Sequence, residues 1–157
     1  MPVGPDEYRR ALRRFTSGLT VITVADGERL HGMTASSFAA VSLEPPLVLV
    51  SLEKGSHTRE LVLGAGAFVA NVLADTQEDV ARGFAQAGHK PFEHTPHRVA
   101  SNGGAILDDV LAWLECRVNR TVDAGDHDVV IGEVLSSDAR DGFPLVYFNR
   151  SYRRLRE

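Results

Sequence analysis

Three groups of side chains in this 157-residue sequence have the types and spacing to do chemistry. The first is the run Thr34-Ala35-Ser36-Ser37, which is small enough for close backbone approach and carries three hydroxyls. The second surrounds Ser56. Ser56 and Thr58 stand at the start of an expected helix, where hydroxyls join free first-turn N–H groups, and Lys54 and Arg59 add charge, so the segment suits an anion without being a P-loop. The third is arginine at both ends of the chain: Arg9, Arg10, Arg13 and Arg14, then Arg150, Arg153, Arg154 and Arg156. Solvated faces are the plainer reading of these arginines, and recognition of a ligand phosphate is the sharper one.

Other chemistries lack their signatures. Gly64-Ala65-Gly66 has no third glycine and leads from a helix into a strand, the reverse of a dinucleotide-binding turn. Lys54-Gly55 inverts the P-loop pair, and no serine sits in a Gly-x-Ser-x-Gly elbow. His89, His94 and His97 fall in an irregular stretch with no ordered element to fix them, so they read as solvated loop residues and no metal site is expected. Cys116 lies on the apolar side of an expected strand and reads as a small hydrophobe.

The elements that must position these groups follow from pattern. Apolar residues make up 43% and charged residues 24% of the chain, a globular composition whose length suits one domain spanning residues 1–157. A single cysteine excludes an internal disulfide and points to a reducing, cytoplasmic setting. A net charge of −4 argues against general nucleic-acid binding. No segment reads as a signal peptide or membrane span, so no membrane partner is expected.

Tyr8, Leu12 and Phe15 recur at helical spacing, which predicts a short helix over Pro5–Phe15 capped by Asp6. Leu19–Val24 forms a strand that turns at Asp26-Gly27, with chain resuming near Leu30. Leu47–Leu52 and Phe68–Leu73 are buried strands on either side of a helix from Ser56 to Leu63. Asp75 with Glu78, or Thr76 with Asp79, fits a capping box for the next helix, whose stripe is Val80, Ala81, Phe84 and Ala85. Residues 87–104 form a long surface loop. In the strand around Leu114, Cys116, Val118 and Val122, the residues Glu115, Arg117, Asn119 and Thr121 take the polar face. A turn over Asp123–Asp128 and the strands Val129–Leu135 and Leu145–Phe148 complete a mainly β (α+β) chain: an antiparallel barrel with a few flanking helices.

Three segments taken together, "HGMTASSFAAVSLEPPLVLVSL", "SHTRELVLGAGAFVANVL" and "GDHDVVIGEV" followed by "PLVYFNRSYRRL", resemble the flavin reductase-like family from about Phe15 to Leu155. The resemblance implies a split β-barrel with Greek-key character, a homodimer with flavin near the subunit interface, and hydride transfer from NADH or NADPH to FMN, or to FAD. The reduced flavin would serve a partner monooxygenase. Two alternatives stay open: a tightly held FMN that reduces another substrate, and a non-enzymatic flavin or haem carrier on the same barrel.

On that resemblance, Thr34, Ala35, Ser36 and Ser37 face the pyrimidine edge of the flavin, and Val50, Ser51, Leu52 and Asn71 line the same pocket. Lys54, Ser56, His57 and Thr58 take the phosphate. His127 of the Gly-Asp-His motif stands near the nicotinamide, and Tyr152 and Arg153 reach the flavin or the partner subunit. Plainer roles compete at several positions: turn hydroxyls for Ser36 and Ser37, backbone satisfaction for Asn71, and a turn histidine bonded to Asp126 for His127. The family's pattern is not kept at Asn102–Leu107, so the loop entering that strand is expected to differ.

Overall fold

The computed structural model describes residues 1–155. Its elements in chain order are α1 (Pro5–Leu12), β1 (Ser17–Gly18), β2 (Thr20–Asp26), β3 (Arg29–Ala35), β4 (Ala39–Ser42), β5 (Leu47–Glu53), α2 (His57–Ala65), β6 (Ala67–Val72), α3 (Glu78–Ala85), β7 (His97–Val99), β8 (Ala105–Leu107), β9 (Ala112–Ala124), β10 (His127–Ala139), β11 (Leu145–Phe148) and β12 (Ser151–Arg154). Seven strands form one antiparallel sheet in the order β3-β2-β6-β9-β10-β5-β4. Its two outer strands, β3 and β4, are consecutive in the chain and joined by only Ser36-Ser37-Phe38. So short a link brings the two edges of the curled sheet close together without pairing them, and the split of the barrel falls at these residues.

The concave side holds one apolar core. Ile22 and Val24 from β2, Val48, Val50 and Leu52 from β5, Phe68 and Ala70 from β6, Cys116 from β9 and Val130 from β10 meet there, and α2 adds Val62. The convex side of β2 is covered as well: Val21 packs with Leu73, Ala81, Phe84, Leu107 and Leu145. β2 is thus buried on both faces, as its unbroken run of β-branched residues requires. Gly32 permits this second layer, because a Cβ there would sit 2.9 Å from the Phe84 ring of α3.

Local differences from the pattern have physical causes. α1 ends at Leu12, and Gly4 with Pro5 starts it in place of Asp6, whose side chain pairs with Arg9 instead. α3 starts at Glu78 after Gln77, not from either expected box: the Gln77 carboxamide accepts from the Ala74 amide at 2.9 Å and donates to the Asp108 carbonyl at 2.9 Å. Residues 87–104 are partly ordered by a 3₁₀ turn at Phe92–His94 and by β7, which pairs with β8. Glu115, expected on a polar face, is buried, and its carboxylate accepts from the Ser101 hydroxyl and the Asn102 amide. The β9–β10 turn is shorter than expected, with only Gly125 and Asp126 between the strands. Arg156, counted above among the basic residues of the C-terminal end, lies outside the described residues.

Candidate functional site

Ser36 and Ser37 leave β3 at the barrel split and border a cleft of about 890 Å³. Its other walls come from Tyr8, Arg13 and Phe15 at the N-terminal end, and from Tyr147 and Arg150 around the β11–β12 turn. Aromatic rings, cationic groups and hydroxyls therefore face one space, a lining suited to a planar polar heterocycle that carries negative charge. α1 buries none of its own residues; Tyr8 is 57%, Leu12 47% and Phe15, just beyond it, 76% exposed. Arg13 is tied in through its carbonyl, which accepts from the Asn149 amide at 3.2 Å.

The two serines differ. Ser37 Oγ donates to the Ser51 carbonyl at 3.0 Å and accepts from the Ser51 amide at 3.1 Å, extending the β4–β5 pairing by a side chain. Ser36 is exposed toward the cleft. Thr34 is turned away, donating to the Ala81 carbonyl of α3 at 2.7 Å, and Ala35 is buried in the barrel core. Val50 and Leu52 place their side chains in that same core, so they present only backbone to any ligand. Asn71 is fully buried with its amide group consumed: Nδ2 donates to the carbonyls of Val21 and Ala105, and Oδ1 accepts from the Leu107 amide. Of the two roles the sequence left open for Asn71, backbone satisfaction is the one the geometry realises, and direct ligand contact is corrected.

A second cluster gathers at the start of α2. Ser56 caps the helix by accepting from the Arg59 amide at 3.2 Å, and Gly66 ends it in the left-handed conformation. The N–H groups of His57 and Thr58, in the first turn, lie outside the intrahelical ladder; His57 is exposed and its amide remains a donor for an anion, while Thr58 is buried. The expected side-chain charges are already engaged: Lys54 bonds Asp123 and the Gly125 carbonyl, Arg59 holds the buried carboxylate of Asp128 at 2.7 Å, and His57 lies 3.3 Å from Asp26. The Lys54 ammonium holds the Asp123 carboxyl below its ordinary range. The Thr58 hydroxyl is enclosed and shares a 2.8 Å hydrogen bond with Nε2 of His31 on β3.

His127 opens β10 opposite Glu53, and the neighbouring Asp126 carbonyl accepts from the Lys54 amide, so His127 stands beside the α2 cluster. Its Nδ1 donates to Asp126 Oδ1 at 2.7 Å, a bond that lowers the Asp126 pKa, while the ring stays about half exposed. The local bond with Asp126 is thus present, and it leaves Nε2 free of that carboxylate. Tyr152 stacks edge-on against Tyr147 and lies under the Arg82 guanidinium at 4.5 Å from its ring centre; burial raises its hydroxyl pKa. Arg153 is exposed on β12. Tyr147 and Phe15 were not singled out from sequence as site residues, and Arg13 only as one of the N-terminal arginines; the aromatic of the N-terminal apolar stripe was the available signal for Phe15. Cys116 is buried in the core, which pushes its thiol up to about 12 and leaves it inert at neutral pH.

Two donor groups are thus in place, Ser36 beside the cleft and the first turn of α2, with the correction that Lys54 and Arg59 bring no uncommitted charge to the second. Comparisons with known proteins agree in direction. A family model described as "Flavin reductase like domain" matches residues 12–156. An NADH-dependent flavin reductase of Rhodococcus sp is 39% identical over 156 residues, 98% of this chain and 88% of the relative. The reductase component of a 4-hydroxyphenylacetate 3-monooxygenase from Thermus thermophilus is 39% identical over 151 residues, 96% of each. A probable flavin reductase of Rhizobium meliloti is 42% identical over 131 residues, 83% of this chain, and the chain spans only 42% of that relative's length. Among solved structures, the Streptomyces globisporus NADH:FAD oxidoreductase SgcE6 in complex with NAD and FAD fragments superposes with a TM-score of 0.93 at 31% identity, over 99% of this chain and 97% of its own.

Proposed function

The chain belongs to the flavin reductase-like family, and from that premise we propose that it is an NAD(P)H-dependent flavin reductase that supplies a partner monooxygenase. Bound FMN, or FAD in its place, would supply the ring chemistry for taking up hydride from NADH or NADPH. The chain's own part is to bind and orient, a task that calls for no general acid–base pair. Ser36, with the backbone of Ser37 and Ser51 behind it, meets the polar edge of the ring, and the first-turn amides of α2 with Ser56 meet the phosphate. His127, its Nδ1 bonded to Asp126, turns its remaining nitrogen to the nicotinamide carboxamide. Tyr152 acts through Tyr147, and Arg153 faces the partner subunit.

The observation that carries this reading is the cleft at the barrel split, where Ser36 and Ser37 meet aromatic and arginine side chains. The exposed Tyr8, Leu12 and Phe15 beside it support a homodimer that closes the cleft, since so much apolar surface on α1 and the residues just after it is costly to leave in water. A single domain and a cytoplasmic location complete the proposal; among the described residues no helix is long and apolar enough to cross a membrane.

Oxidation of NADH and NADPH followed with and without added FMN tests it. Saturable dependence on free FMN is the expected result, and a preparation that binds neither FMN nor FAD overturns it. Replacing His127 with Ala should raise KM for the pyridine nucleotide at least about tenfold while the FMN Kd stays within about twofold, as for loss of one contact made to only one ligand. Equal changes in both would remove His127 from the nicotinamide side.

A further inference from the structure

Two contacts join the β2–β3 hairpin to the first turn of α2, and neither is accounted for by the roles above. His31, near the middle of β3, shares a 2.8 Å hydrogen bond with the Thr58 hydroxyl. Asp26, at the hairpin's end, lies 3.3 Å from Nε2 of His57. The two imidazoles are themselves edge-to-face, 5.0 Å between ring centres, so the contacts form one continuous strip from Asp26 through His57 and His31 to Thr58. His57 and Thr58 are the first two residues of α2; both amides lie outside the intrahelical ladder, and the exposed His57 is the one placed to offer its amide to an anion.

Thr58 is only 3% exposed, so its hydroxyl has no surface to offer a ligand. Its effect must pass through the backbone that it fixes. A hydrogen bond from a strand to the second residue of a helix restrains the whole first turn, including the amide of the exposed His57 before it, and orientation is what an anion site built from backbone donors depends on. β3 also leads, three residues after His31, into Thr34-Ala35-Ser36-Ser37. One strand therefore runs to the ring end of the site while a side chain on it holds the phosphate end.

We propose that His31 is a positioning residue which, with Asp26, clamps the first turn of α2 and makes recognition of the flavin's phosphate depend on the β2–β3 hairpin. The proposal rests on the flavin reading above, and it assigns the hairpin a role in phosphate affinity and none in ring affinity.

Titrating FMN and riboflavin, which share the ring and differ in the phosphate, separates these roles. In His31→Ala and in Thr58→Val the FMN Kd is expected to rise about tenfold, as for loss of one orienting hydrogen bond, and the riboflavin Kd to move less than about twofold. The double variant should be no weaker than the worse single one, because both remove the same bond. His31→Gln, which keeps a hydrogen-bonding group, should recover part of the loss. Asp26→Ala, on the exposed end of the strip, gives a variant with little risk to folding and should lower FMN affinity about threefold with riboflavin unchanged. Equal shifts for both flavins, or a loss of thermal stability with the FMN-to-riboflavin ratio unmoved, would overturn the clamp. Wild-type protein that binds both flavins equally well would also overturn it while leaving the reductase reading intact, whereas wild-type protein that binds neither would remove both.

Discussion

At the first turn of α2, Ser56 caps the helix, His57 meets Asp26, Thr58 meets His31 and Arg59 holds Asp128; across the molecule α1 buries none of its residues and leaves its aromatic stripe in solvent. Both regions border parts of the same proposed site. The first is organised by intramolecular bonds before a ligand arrives, so little ordering entropy remains to be lost on binding there. The second is left open in the single chain, and on the proposed reading a second subunit and the ligand complete it. The contrast teaches that residue type alone did not separate a finished half-site from an unfinished one; partner geometry did.

The contrast depends on a rigid framework between the two regions, and Asn71 is where that framework is most easily broken. Asn71→Leu keeps the volume but removes three hydrogen bonds and leaves the Leu107 amide without its acceptor inside the protein, while the Ala105 carbonyl keeps only the Thr23 hydroxyl. At about 1 kcal/mol or more for each, the loss should reach about 3 kcal/mol in urea denaturation. Flavin affinity of the remaining folded protein should stay within about twofold. A variant that folds normally yet loses flavin would return Asn71 to the ligand pocket.

The unfinished region is tested by replacing Tyr8, Leu12 and Phe15 together with Ser. Because all three are exposed in the single chain, monomer stability should change by less than about 0.5 kcal/mol. Sedimentation should instead show the dimer weakened at least tenfold, about 1.4 kcal/mol, with flavin affinity falling alongside. Unchanged association would mean that α1 is not the dimer face, and the cleft would then need another wall.

The finished region responds more gently to loss of its cap. Ser56→Ala removes the acceptor for the Arg59 amide and should cost about 1 kcal/mol in stability. FMN affinity should fall with it more than riboflavin affinity. Equal losses for the two would make Ser56 a cap and nothing more.

Much of the fold was legible because period and punctuation agreed. The alternation and β-branched runs of β2, β5 and β6, the Asp26-Gly27 turn, the cap at Ser56 and the glycine that stops α2 all act within a few residues of chain. What local pattern missed was set by distant partners. Gln77 replaced the capping box because the Ala74 amide and the Asp108 carbonyl both required it, and Glu115 left the polar face because the Ser101–Asn102 turn needed an acceptor. For the site, the segments were readable but the direction of each side chain was not. Ser36 faces the cleft, Ser37 pairs with Ser51, and Thr34 turns to α3, although the three hydroxyls are near neighbours in sequence. Lys54 and Arg59 looked like free charges only because the acids that engage them, Asp123 and Asp128, lie 69 residues away in each case.

The smallest expected effect separates the two regions by pH. Burial, and then the charges of Lys90 and His57, hold the His31 imidazole below its ordinary value of 6.5, with Asp26 opposing them. Well above pH 6.5 the ring is neutral whether the chain is folded or not, and it contributes no pH dependence. As pH falls below 6.5 the unfolded chain takes up a proton that the folded chain resists, so stability declines until the lowered native pKa is passed, where the loss levels off. His31→Asn cannot take up that proton, so the stability advantage of wild type over the variant should narrow as urea denaturation is carried from pH 8 to pH 5. The Ser substitutions in α1 leave His31 in place and should run parallel to wild type over the same range. If the His31→Asn difference instead stays constant with pH, the imidazole titrates alike in both states, and the α2 end is held by its hydrogen bonds without any contribution from the charge around it.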